Sequence, residues 1–94
     1  MPPRSLEIGP AGRAAAHAIE RTRAARGYSQ RQLAARVTAL GGPMTFTALS
    51  RIERMVRRCD IDDLVAIATA LGGAPQALLP GALTPPRVAR AGAT

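Results

Sequence analysis

A chain of 94 residues forms one small domain, which buries about 60 to 65% of its unfolded surface and leaves no room for a cleft between domains. Net charge is +7, with every basic residue an arginine, and Tyr28 and Phe46 are the only aromatics, so aliphatic side chains must build the core. No run approaches the ~20 apolar residues of a membrane-crossing helix.

Residues 1–10 are rich in Pro and Gly, show no apolar period and lack the apolar core of a secretory signal. They read as a flexible amino-terminal arm, residues 11–80 as the domain, and residues 81–94 as a flexible tail. Alanine favours helix, and no valine- or isoleucine-rich run alternates with period two, so the expected class is all-α. The first helix runs from about Gly12 to Arg26 and stops at Gly27, a left-handed cap. Ala15, Ala18, Ile19 and Thr22 share its inner stripe.

In "SQRQLAARV", Ser29 and Gln32 form a capping box, and Leu33, Ala34 and Val37 then face inward. The helical pattern reaches Leu40 before "GGP" ends it. Thr45 opens a third helix. At about 100° per residue from Leu49, Ile52 falls near 300° and Thr45 near 320°, which defines the inner face. Thr47, Ser50, Arg51 and Arg54 fall between about 100° and 200°, opposite the core. Asp60 caps a fourth helix, with Asp62 and Asp63 complementing its positive end and Leu64, Ile67, Ala68 and Leu71 inward. A short fifth turn, "APQALLP", brings in Leu78 and Leu79. Five short helices make a compact globule.

Charge is unevenly spread. "TFTALSRIERMVRR", residues 45–58, holds four arginines and one glutamate. Residues 13–58 carry ten arginines against Glu20 and Glu53, whereas residues 59–79 carry three aspartates and no basic residue. Such a polarised molecule attracts polyanions or an acidic membrane surface. The membrane reading is set aside because the third helix is short and has no large apolar anchors beyond those the core needs. Cys59 and His17 are each alone, which excludes an intrachain disulfide and, without outside ligands, a structural zinc site. No carboxylate pair, activated nucleophile or phosphate loop points to an enzyme, and no cofactor, metal or small-molecule site is expected.

Three stretches, "GYSQRQLAARV", "TALSRIER" and "DIDDLVAIATALGGAPQALL", together resemble the lambda-repressor and Cro family of helix-turn-helix domains, over roughly residues 13–80. The resemblance implies a five-helix fold in which the second and third helices read DNA. The third helix, residues 45–55, then enters the major groove, on the same outer face that the helical angles select. Arg51 is expected to fork onto guanine, Thr47 and Ser50 to bond base edges, and Phe46 to pack on a thymine methyl or cap the core edge. Gln30 matches a position that holds a phosphate and buttresses the recognition helix. Arg31, Thr45, Arg54, Arg57 and Arg58 are expected along the DNA backbone. Arg23 and Glu53 match a salt bridge between the first and third helices.

Two features depart from the family pattern. "TALGGPM" makes the connection between the second and third helices roughly five residues longer than a turn of about four. Met55 stands where the family often ends the helix with glycine, so the third helix is expected to run on. The chain is expected to be a cytoplasmic, nucleoid-associated regulator, a repressor, binding double-stranded DNA as a homodimer because one such domain buries only ~600 to 1,000 Å² on DNA. Leu78, Leu79 and Leu83 form either the dimer contact or local core packing. The rival reading keeps the fold as a protein-interaction module, such as an antitoxin or a partner of the transcription machinery.

Overall fold

Helix propensity and helix punctuation together decide the architecture, an arrangement of helices without strands among the described residues. The computed structural model describes residues 7–79, so the expected tail and the first six residues of the expected arm lie outside the described residues. Four α-helices follow one another: α1 (Pro10–Ala25), α2 (Gln30–Ala39), α3 (Phe46–Glu53) and α4 (Ile61–Leu71). The fifth element is a four-residue 3-10 turn, Pro75–Leu78, and not a fifth α-helix. It is one turn long, starting at Pro75 and ending where Leu79 is already extended.

α1 begins two residues earlier than expected. Pro10 occupies its first turn, where a missing N–H costs nothing. The Ser29–Gln32 capping box forms at α2, with Gln32 N–H donating to Ser29 Oγ at 3.0 Å. Asp60 and Asp63 form a second box at α4, and Thr45 Oγ1 accepts from the Ala48 N–H at the start of α3. Thr45 itself is exposed, because a cap residue lies outside the helix; it is not part of the inner face.

All four helices close in the same way, with a 6→1 and a 5→2 hydrogen bond through a left-handed residue. Three of them use glycine. α3 uses Met55, at φ 63°, with Met55 N–H bonded to Ile52 O and Val56 N–H to Arg51 O. The expectation that α3 runs on is therefore corrected: it stops at Glu53 with a methionine in the glycine position. The connection from α2 to α3 is also shorter than expected, because α2 takes up Thr38 and Ala39 and leaves residues 40–45. Thr38 Oγ1 donates to Met44 O at 3.0 Å, and Met44 is buried, which pins this turn to the core. Gly42 allows it to lie close to α4: a Cβ there would stand 3.1 Å from Ala66 Cβ.

The core joins Ala15, Ala18 and Ile19 of α1 to Leu33, Ala34 and Val37 of α2, Leu49 and Ile52 of α3, and Leu64, Ile67, Ala68 and Leu71 of α4. Met44, Ala70 and Leu78 complete it. α2 packs between α3 and α4, and α1 lies across both. That order leaves the far side of α3 uncovered. Replacing Met55 by glycine should raise stability by about 1 kcal/mol, roughly what the left-handed region costs a residue with a Cβ. Urea unfolding checks this as a higher midpoint at unchanged slope.

Candidate nucleic-acid interface

One buried carboxylate organises the polar side of the fold. Glu53, the last residue of α3, has a side chain only 3% exposed. Arg23 of α1 donates to it twice, Nε to Oε2 at 2.8 Å and Nη2 to Oε1 at 3.0 Å. Gln30, the first residue of α2, donates Nε2 to Oε1 at 2.9 Å. The remaining arm of Arg23 donates Nη1 to Tyr28 O at 2.9 Å, beside the end of α1. The hydrogen bond it donates to Glu53 holds the Arg23 guanidinium above its ordinary range, against the opposing effect of burial. Among the described residues no buried side-chain nitrogen or oxygen lacks a partner.

With Leu49, Ile52 and Glu53 facing inward, α3 turns its other side to solvent. Thr47, Arg51 and Arg54 are exposed there and Ser50 half-buried. Thr45 and Phe46 are exposed at its amino end. Arg58 is exposed after the helix, whereas Arg57 is half-buried and reaches Asp63 Oδ2 at 3.4 Å. Burial raises the Asp63 carboxyl above its ordinary range, offset only in part by the hydrogen bond from the Asp60 N–H and by Arg57. Arg31 is exposed at the start of α2, beside the half-buried Gln30.

The structure thus gathers Arg31, Thr45, Phe46, Thr47, Ser50, Arg51 and Arg54 around one helix and its approach. It does not do so for the leucines expected at a dimer contact. Leu78 is 3% exposed and belongs to the core, so it offers no surface to a second chain. Leu79 is half-buried against the same core, and Leu83 lies outside the described residues.

Two stacked pairs were not legible beforehand. The Arg31 guanidinium lies over the Phe46 ring, with Cζ 4.3 Å from the centroid. Phe46 stays 37% exposed beneath that arginine. Arg36 stacks over Tyr28 at 4.9 Å and donates Nε to Ala70 O at 3.1 Å, tying α2 to the carbonyl end of α4. Pair contacts across elements leave no periodic trace, so only the residue types, Arg beside aromatic, could have hinted at them. Cys59 is half-buried, and burial pushes its thiol up to about 12, the direction of an unreactive thiol.

A helix carrying a basic, hydrogen-bonding outer face, braced from behind by the helix before it, is the arrangement of a helix-turn-helix. A family model described as helix-turn-helix matches residues 19–78, more than half of the chain. The chain belongs to this family, which is of the lambda-repressor type. No curated protein and no solved structure matches the chain. Among the described residues no helix is long and apolar enough to cross a membrane.

Removing the buried carboxylate by Glu53→Ala leaves Arg23 and Gln30 facing an uncompensated cavity and should cost about 3 to 5 kcal/mol. Replacing Arg23 and Glu53 together by apolar residues of similar size should cost much less than the two single losses added. A double-mutant cycle by chemical unfolding checks both.

Proposed function

We propose that this protein is a sequence-specific regulator of transcription, a repressor, that reads double-stranded DNA with the outer face of α3 lying in the major groove. The observation that carries this reading is the division of α3 itself. Leu49, Ile52 and Glu53 are buried, while Thr47, Arg51 and Arg54 are exposed on the opposite side. A helix held by its inner face and free along its outer one is what a groove about 12 Å wide admits.

The roles follow from chemistry. Arg51 offers a planar fork that fits guanine O6 and N7. Thr47 and Ser50 carry hydroxyls that both donate and accept, as base edges require. Arg54 and Arg58 neutralise phosphates, and Thr45 and the amino end of α2 near Gln30 lie where backbone oxygens would pass. Arg57 shares its charge with Asp63, so its contribution to the backbone is smaller than that of Arg54.

A single domain of this size buries only ~600 to 1,000 Å² on DNA, so a homodimer on a palindromic operator supplies the rest of the affinity. Leu78 lies in the core, and the surface of that pairing is therefore sought elsewhere.

Selection of bound fragments from random duplex DNA tests the reading. A motif with two inverted half-sites about 10 base pairs apart, centre to centre, is expected. No enrichment over the starting pool overturns it. On the selected duplex, Arg51→Ala should cost about 1 to 3 kcal/mol and relax preference at one base pair per half-site. Arg54→Ala should weaken binding to all duplexes alike and reduce the salt slope by about one unit. Titrations at several salt concentrations distinguish the two.

A further inference from the structure

The step from α2 to α3 joins two side chains that neither the core nor an ion pair explains. Arg31 is exposed, and among the described residues its guanidinium makes its close contact with the Phe46 ring, 4.3 Å from Cζ to centroid. Phe46 is the first residue of α3 and one of the few large apolar side chains left exposed. A guanidinium held over a ring is positioned without using its N–H groups, so its donors stay available for another partner.

The pair sits at the amino end of α3, the end of a recognition helix that meets base edges. Its 4.3 Å separation is comparable with the ~3.4 Å rise between stacked base pairs, a spacing compatible with contact to two neighbouring pairs. Only one apolar group stands in the major groove, the C5 methyl of thymine or of a 5-methylated cytosine. The acceptor pair that fits an arginine fork is guanine O6 and N7.

We propose that Arg31 and Phe46 form one stacked reader of two adjacent base pairs, Phe46 taking a pyrimidine C5 methyl and Arg31 the major-groove edge of the neighbouring guanine. This rests on the DNA-reading role of α3 set out above. It moves Arg31 from the phosphate backbone to the bases, and it makes the two residues interdependent: without the ring, the fork has nothing to hold it over its guanine.

The experiment uses the full chain and the duplex recovered by selection. Each thymine is replaced in turn by deoxyuracil, and each guanine by 7-deazaguanine, which lacks the N7 acceptor. The wild type should lose about three- to fivefold in affinity at one uracil position, the value of a single buried methyl. It should lose about tenfold at a 7-deazaguanine in the adjacent pair. At the methyl position, 5-methylcytosine should bind better than cytosine, which separates the methyl from the identity of the base. Phe46→Ala should abolish the uracil effect and blunt the 7-deazaguanine effect. Arg31→Lys, which keeps the charge and loses the planar fork, should abolish the latter alone. Circular dichroism confirms that both variants fold.

Three results overturn the proposal. These are sensitive positions that are not adjacent, an Arg31→Lys variant that retains full guanine discrimination, and an Arg31→Ala variant that weakens every duplex equally with a shallower salt slope, the mark of a phosphate contact. A wild type that prefers no duplex at all overturns the role of α3 itself, and this inference with it. A preferring wild type without the adjacent pair overturns this inference alone.

Discussion

The carboxylate of Glu53 is the constraint on which the rest of the fold depends. An ionised group this deeply buried is tolerated only if its lone pairs are filled with good geometry. Here the donors come from two other elements, Arg23 of α1 and Gln30 of α2, and a further hydrogen bond ties Arg23 to the chain just after α1. The three helices must therefore meet in one arrangement or leave a charge stranded. Apolar contacts among Ile19, Leu33, Leu49 and Ile52 supply most of the burial, but they would accept small slides and rotations. The buried ion pair does not.

This fixes more than the position of α3. Phe46 and Glu53 are seven residues apart, two helical turns, and so lie on the same side of the helix. Glu53 is buried, whereas Phe46, at the open amino end, stays 37% exposed beside Arg31. The consecutive residues Gln30 and Arg31 reach these two ends, one to Glu53 and the other to Phe46. The start of α2 thus runs alongside α3 and grips it at both ends, and the opposite side of α3 is left free. The charge pattern follows the same geometry. Arg23 is neutralised inside, Arg57 is shared with Asp63, and Arg51, Arg54 and Arg58 stay at the surface.

Helix termination has a similar economy. Each helix ends in the same left-handed closure, and glycine serves where the chain bends before α2, α3 and the 3-10 turn. α3 uses Met55 instead and carries the strain of that choice two residues beyond its buried carboxylate. The glutamate locked at the helix end and the core contact of Ile52 over-determine the backbone there, which is how a non-glycine residue persists in that region.

Much of this was written in the sequence. Apolar spacing gave the inner faces of α1, α2 and α4, the caps at Ser29, Thr45 and Asp60 are local hydrogen bonds between near neighbours, and Gly27 and Gly72 marked stops. These features depend on residues within a few positions of one another, so the chain states them directly. The outer face of α3 was legible for the same reason. The end of α3 at Met55, the choice of core over surface for Leu78 and the Arg31–Phe46 stack were not. Each of them depends on what a neighbouring element places opposite, and a pattern read along one strand of sequence holds no record of which distant side chain fills the space across from it.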